Sequence, residues 1–571
     1  MRYQKRFIVL AIILLLSAVF KFNTFGKEFE EVDDFRGANI QPEVFHPLMA
    51  KTINEKNLIL TINNREYNNR TSAIYVNDAL VMMVPMEVLR DSLNCSTHIY
   101  NKDTLLIEKK ETRILMKLKE KKMQVEENET LSVKIKAPMI ERDGSFFVPI
   151  KEFADYLKFT YSFSIEENKA VTLDDSEDTS FLPYAYDLRE RGRMSTVKNQ
   201  GSFGTCWAFA SLSALESSLL PEEESEFSPD HMSLRNSFSS DQNSGGEYTM
   251  GMAYLAAWQG PVREKDDPYG DQKSPAGIAP VKHVQEMQIL PAKDFDQIKE
   301  AVFKYGGVQT SIYNALTSAG SSSSYYNETY DAYCYQGEEK PNHDIVIIGW
   351  DDNFPKERFH ASLEGDGAFI CQNSWGKEFG EDGVFYISYY DTNVGIHNIS
   401  YRKVEKNTNY DHIYQSDLCG WVGQLGYNRN SIYAANVYRA KGTEELDAVG
   451  FYATGTDTEY EIYVTTEFKN TDSLKEGRLI GKGILKNSGY YTIPLNRVIN
   501  LTKGKKYAVI LHLTTPGSKR PLAVEYASGE MTVDVDLSDG QGYISAKGKK
   551  WERAEKLHDC NLCIKAYTSN R

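Results

Sequence analysis

Residues 198–210 read KNQGSFGTCWAFA, and this stretch constrains the chain more than any other. Gly204 and Thr205 lead into Cys206, and CWAFASLSALESSLL follows with helical spacing of its apolar residues. Trp207, Ala210 or Ser211, Ala214 and Leu215 fall on one predicted face. The run stops at Pro221, and Thr205 is placed to cap its start. A cysteine at a helix N-terminus meets unpaired N–H groups and the helix dipole, which favour a thiolate. The ordinary reading of a lone cysteine in apolar company is a buried core thiol. The flanking glycines and the helix-start position argue against it.

A thiolate nucleophile needs a base, and the base needs something to orient it. His343 opens the apolar run NHDIVIIGW, which predicts a buried strand with the histidine at its mouth. A second strand, AFICQNSWG, ends on Asn373, whose amide oxygen suits the task of fixing an imidazole tautomer. Trp375 is placed to shield that hydrogen bond from water. Separately, His343 reads as a strand-end histidine and Asn373 as a turn residue. In order along one chain, NQGSFGTCWAF, NHDIVIIGW and NSWG resemble the papain-like cysteine peptidases. The likeness extends over LPYAYDLRERG, FSPDHMSLRN and GGEYTMGMAYLAAW. In that family the histidine and asparagine lie roughly 130–150 residues beyond the cysteine. Asn373 falls outside this window, so DDNFPKERFHASLEGDG is expected to be a surface insertion.

The resemblance implies that Cys206 is the nucleophile, His343 its ion-pair partner and general acid, and Asn373 the residue orienting His343. Gln200 and the Cys206 N–H would form the oxyanion hole. Gly245 and Gly246 would offer backbone to an extended substrate. The implied fold has a helical lobe and a β-barrel-like lobe facing each other across a cleft. Two departures stand out. Phe203 occupies a position where the family usually has a disulfide cysteine, so aromatic packing is expected to hold the loop. Asp344 follows the histidine where the family commonly has alanine, which predicts a carboxylate in the specificity pocket and a basic P2 residue.

A chain of 571 residues exceeds one core and predicts several domains. MRYQKR followed by FIVLAIILLLSAVF is read as a secretory signal over 1–26, with an uncleaved membrane anchor as the alternative. Residues 27–57 are read as a tether. From 58 to 175 the chain repeats itself: MMVPMEVLRDSL returns as FFVPIKEFADYL. Each copy predicts a strand, a helix with proline in its first turn, and two strands. The pattern resembles the copper amine oxidase N-terminal-like domain, a stalk or binding module without copper. His98 is its lone histidine. It is read as a spacer, or alternatively as an inhibitory or wall-binding prodomain. The acidic DDSED linker leads into the peptidase domain at 181–402, with an activation cut expected near 176–182.

Residues 410–569 alternate like strands (YEIYVTTEF, KKYAVILHL) and predict a β-sandwich. YAANVYRAKGTEELDAVGFYATGTDTEYEIYV resembles the lectin-like domain of some clostridial surface proteases, implying a carbohydrate or cell-wall partner. Trp421 is expected to be exposed, and Asp447 and Asp457 are read as loop carboxylates of a kind that can hold calcium, although no EF-hand spacing supports such a site. Seven cysteines are too few for a disulfide framework. Cys560-x-x-Cys563 lacks a second pair for zinc, and a bridge from Cys419 to one of them is the alternative. The fold class is therefore α+β multidomain: a repeated βαββ domain, a papain-like two-lobe core and a β-sandwich. A net charge of −15 without a basic run argues against nucleic acid. The expected protein is a monomeric, secreted or surface-bound endopeptidase acting on proteins or peptides, with no metal or other cofactor. The rival readings are an adhesin using the papain-like domain as scaffold, and a peptidoglycan amidase or endopeptidase.

Overall fold

The computed structural model describes residues 57–62, 65–66, 74–77, 81–127, 129–142, 144–164, 170–174, 181–495 and 497–571, with short strand segments at 30–31 and 50–51. The expected signal over 1–26 and the linker residues 175–180 lie outside the described residues.

Both copies of the repeat fold as strand, helix, strand, strand. The first uses Met82–Pro85, Glu87–Ser92, Ser96–Tyr100 and Thr104–Lys109. The second uses Ser145–Pro149, a short helical turn over Ile150–Phe153 and Ala154–Leu157, then Thr160–Ser164 and Ala170–Asp174. Their first strands pair antiparallel with Val84 opposite Val148, so the copies meet about a local two-fold. Pro85 and Pro149 end these strands rather than open the helices, since each helix starts later. Copper does not fit here. His98 is buried with Nε2 on Ser96 Oγ at 2.9 Å and Nδ1 on Glu222 Oε1 at 3.3 Å, and no cluster of three metal ligands occurs among the described residues.

This domain docks on the peptidase domain through a polar seam. Glu108 meets Arg191 at 3.0 Å, the Tyr100 hydroxyl donates to the Arg191 carbonyl, and Lys304 donates to Asn94.

In the peptidase domain, the Cys206–Leu219 helix is buried continuously from Trp207 to Ser217. The single apolar face read from sequence is too narrow: helices Pro229–Leu234 and Tyr248–Ala256 cover one side and the strand His343–Asp351 the other. That is why Ala and Ser make up half of the Cys206–Leu219 helix, since small residues let backbones approach. A sheet runs through strands Ala368–Gln372, His343–Asp351, Val308–Ile312, Asn398–Lys406 and Lys282–Leu290. The segment after His343 builds a small core of its own, with Phe354, Phe359 and Leu363 against Ala332 and Cys334.

The sheet does not stop at the domain boundary. Lys282–Leu290 pairs with Ser488–Pro494 of the last domain, with Met287 opposite Tyr490, and continues through Glu444–Ala453 and Ile564–Asn570. Gly489 makes this join possible. Its φ is +139°, and a Cβ there would lie 2.2 Å from the Met287 carbonyl oxygen. A six-stranded sheet containing Ser431–Arg439, Thr458–Thr465 and Lys506–Thr514 packs on the other face, and Ile432, Ile462, Leu511, Phe451 and Ile564 fill the space between. Each such buried side chain contributes about 1.5–3 kcal/mol of apolar transfer. Trp421 is buried, not exposed. Cys419 and Cys563 are thiols donating to the Ser237 and Gly420 carbonyls, so the bridge weighed for Cys419 is not formed.

Candidate active site

The first turn of the Cys206 helix has no side-chain cap. The Thr205 hydroxyl, the expected cap, pairs with the Tyr269 hydroxyl at 2.8 Å instead. The backbone N–H groups of Cys206 and Trp207 are thereby left to the cysteine sulfur, and the Asp344 N–H joins them from the opposing strand. The sulfur thus sits where the helix start meets the mouth of the His343 strand.

Tyr269 holds this loop together. Its hydroxyl also donates to the Gln200 carbonyl at 2.9 Å, and its ring meets Phe203 and Phe209 edge-on at 6.4 and 4.7 Å. The expected aromatic packing of Phe203 is present, with Tyr269 as its hub. Nothing in the sequence around Tyr269 signals this.

His343 is buried, with Nε2 2.8 Å from Asn373 Oδ1. That oxygen also accepts the Ser374 N–H at 2.8 Å. With Oδ1 as acceptor, Nε2 carries the proton, and Nδ1 is the nitrogen available to Cys206. The Trp375 ring lies 5.3 Å from the imidazole, inclined at 44°. Gln200 is buried and fixed at three points. Its N–H donates to the Ser374 carbonyl, its Nε2 donates to the Phe203 carbonyl, and its Oε1 accepts the Ser374 hydroxyl at 2.6 Å. One amide hydrogen of Gln200 remains for a ligand. Ser374 therefore joins Gln200 to Asn373, a link carried by the middle of the NSWG motif.

Gly246 lies flush on the helix: a Cβ would come within 2.3 Å of Trp207 Nε1. Gly245 takes φ +76° beside Gly204. Asp344 is buried, its oxygens accepting Gln309 Nε2 at 2.9 Å and Ser311 Oγ at 2.6 Å.

Burial dominates the electrostatics. It pushes the Cys206 thiol up to about 12, the Asp344 carboxylate adds to this, and the three backbone N–H groups oppose it. Burial takes His343 down to about 4, against the Asn373 hydrogen bond. The helix start does not outweigh burial, contrary to the expectation from sequence. Neither group charges alone, so the proton moves between them as a pair, each ion supplying the other's counter-charge.

Burial also lifts Asp344 to about 6, and the Glu247 charge pushes the same way. A folded-state value above the unfolded one means stability present below about pH 4 and lost as pH rises through about 6. At pH 8 this amounts to about 3 kcal/mol. Asp344→Asn keeps the shape, because the Ser311 hydroxyl can turn to accept from the new amide. The variant is expected to melt higher than the parent at pH 8 and equally at pH 4. Equal melting shifts at both pH values, read by calorimetry, would refute the assignment.

Three family models match the chain. Residues 61–172 match the copper amine oxidase N-terminal domain, 182–404 the papain family cysteine protease, and 413–568 the lectin like domain. Mouse cathepsin K is 27% identical over 226 residues, 38% of this chain and 64% of that protein. Ananain of Ananas comosus is 26% identical over 236 residues, 41% of this chain and 64% of that protein. The chain thus spans just under two thirds of the length of these two relatives. Among solved structures, a cysteine-to-alanine variant of the clostridial cysteine protease Cwp84 after propeptide cleavage is 28% identical, with a TM-score of 0.60 over 68% of this chain and 99% of the other. The cysteine protease and lectin-like domains of Cwp84, a surface layer associated protein of Clostridium difficile, match equally over 89% of that chain. The shared order of domains, the matched models and the geometry around Cys206 agree: residues 182–404 are a papain family cysteine protease domain, followed by a lectin-like domain.

Proposed function

We propose that this chain is an exported cysteine endopeptidase that hydrolyses peptide bonds in proteins. One observation carries the reading. The Cys206 sulfur stands at an uncapped helix start against the strand of His343, whose far nitrogen is held by Asn373 at 2.8 Å. Cys206 passes its proton to His343 and attacks the scissile carbonyl. The oxyanion is held by the Gln200 amide and the Cys206 N–H. His343 then protonates the leaving amine, and water releases the acyl group.

Gly245 and Gly246 present backbone to the extended substrate, and Trp375 keeps water from the His343–Asn373 bond. Asp344 favours a basic P2 residue. Matched substrates with Arg or Leu at P2 test this, and a clear Leu preference would overturn it. The protein works as a monomer at the cell surface or outside it. Its last domain holds a carbohydrate or wall component. The outer face of the six-stranded sheet suits that role, where Tyr433, Tyr463 and Trp551 surround a cavity of about 610 Å³ beside Lys547 and Lys549.

The test is casein cleavage by the secreted chain under reducing conditions, with and without a thiol-reactive epoxide. Inhibitable cleavage with a new N-terminus near 176–182 is expected. No cleavage, with Cys206 unlabelled, would favour the adhesin. Release of muropeptides without casein cleavage would favour a wall hydrolase.

A further inference from the structure

A cavity of about 240 Å³ lies between the peptidase and lectin-like domains. Phe238, Tyr248 and Met250 line it from one side, Trp421 and Met531 from the other. Glu247 also lines it, so the cavity begins one residue after Gly246, whose backbone rests on the Trp207 ring beside Cys206.

Its lectin-like wall is held in place. The Ser239 N–H donates to the Met531 carbonyl at 2.7 Å and the Ser239 hydroxyl to Asp534 at 2.8 Å. Within the loop, Thr532 Oγ1 accepts the Ser528 N–H at 2.7 Å. The cavity is thus built before any ligand arrives.

A paired strand leaves the cavity on the lectin-like side. Val422 lines the cavity, and the strand Gly423–Leu425 starts at the next residue. This strand pairs with Leu522–Glu525 on one edge. Its other edge is paired antiparallel with Glu30–Glu31 of the chain's own N-terminal region. Both edges of this strand are thus filled, so a ligand of the cavity enters it by a side chain rather than by pairing with the strand.

We propose that this interdomain cavity is a substrate subsite of the peptidase, taking a bulky apolar side chain of an extended polypeptide upstream of P2. Side chains of an extended chain alternate between faces, so P4 is the next to follow P2 on the same side. Aromatic and methionine side chains form its apolar walls, with Glu247 and Glu530 also in the lining, and methionine adapts to varied shapes. The lectin-like domain thereby becomes part of the peptide-binding cleft. This rests on the endopeptidase reading above.

The test uses the full chain, reducing conditions and two fluorogenic substrates: a dipeptide ending at P2, and a longer peptide with the same P1 and P2 and Phe at P4. Val422→Trp fills the cavity, and Met531→Glu places a charge in it. Both variants are expected to lose about tenfold or more in kcat/KM on the longer peptide and to match the parent on the dipeptide. Equal losses on both substrates would make the effect structural and overturn the proposal. Unchanged hydrolysis of both would also overturn it, and loss of binding to a chitin oligosaccharide in those variants would assign the cavity to a carbohydrate. Failure of the parent chain to cleave even the dipeptide would remove the endopeptidase reading and this inference with it.

Discussion

A Cys206→Ala chain is expected to lose peptide hydrolysis by on the order of 10⁶-fold, as when a nucleophile is removed from a group that acts as a unit. His343→Ala should cost nearly as much. The two titrations are tied together, since burial alone keeps the thiol protonated and the imidazole neutral. Removing both should then add little to removing either. Cys206→Ala leaves the helix start and the Asp344 N–H in place, so the melting temperature should move little. Residual activity near the parent level in single-turnover assays would place the nucleophile elsewhere.

Gln200→Ala is expected to slow kcat by about 10²–10³-fold, about 2.7–4 kcal/mol, with a smaller effect on KM. The side chain donates to an oxygen that becomes charged only as the tetrahedral intermediate forms. Ser374 accounts for how that donor is aimed, because its hydroxyl holds Gln200 Oε1 while its N–H meets Asn373. Ser374→Ala should give a weaker version of the same defect. Combined with Gln200→Ala it should add almost nothing, as residues in one hydrogen-bond network do not act independently. A Gln200→Ala effect confined to KM would refute this role.

Much of the architecture is legible because it is periodic or locally punctuated. The repeated proline-centred segments mark the two βαββ copies, since alternation and helical spacing are short-range signals. The residues Cys206, His343 and Asn373 are legible because glycines and a strand mouth mark each of them. Tyr269 is not. Its part arises from four contacts with residues far upstream, and an isolated tyrosine in DDPYG carries no trace of them. Asp344 stands out as an oddity, but its ties to Gln309 and Ser311 depend on the register of Val308–Ile312 against His343–Asp351. Trp421 misleads because an aromatic in a Gly-rich stretch reads as exposed, whereas here two domains close over it. The thiolate expected from a helix start considers one effect alone, and only the folded cleft reveals the burial that opposes it.

The backbone pairing of Lys282–Leu290 with Ser488–Pro494 bears on how this protein ages. The seam is a row of strand hydrogen bonds rather than a swivel, so the lectin-like module cannot be shed as an independent bead. Loss of this pairing would bare one edge of a long, mostly buried strand, and bare strand edges recruit copies of themselves into aggregates. The two modules are therefore expected to persist or perish together, with catalytic lifetime set by the integrity of a domain that holds none of the reacting groups.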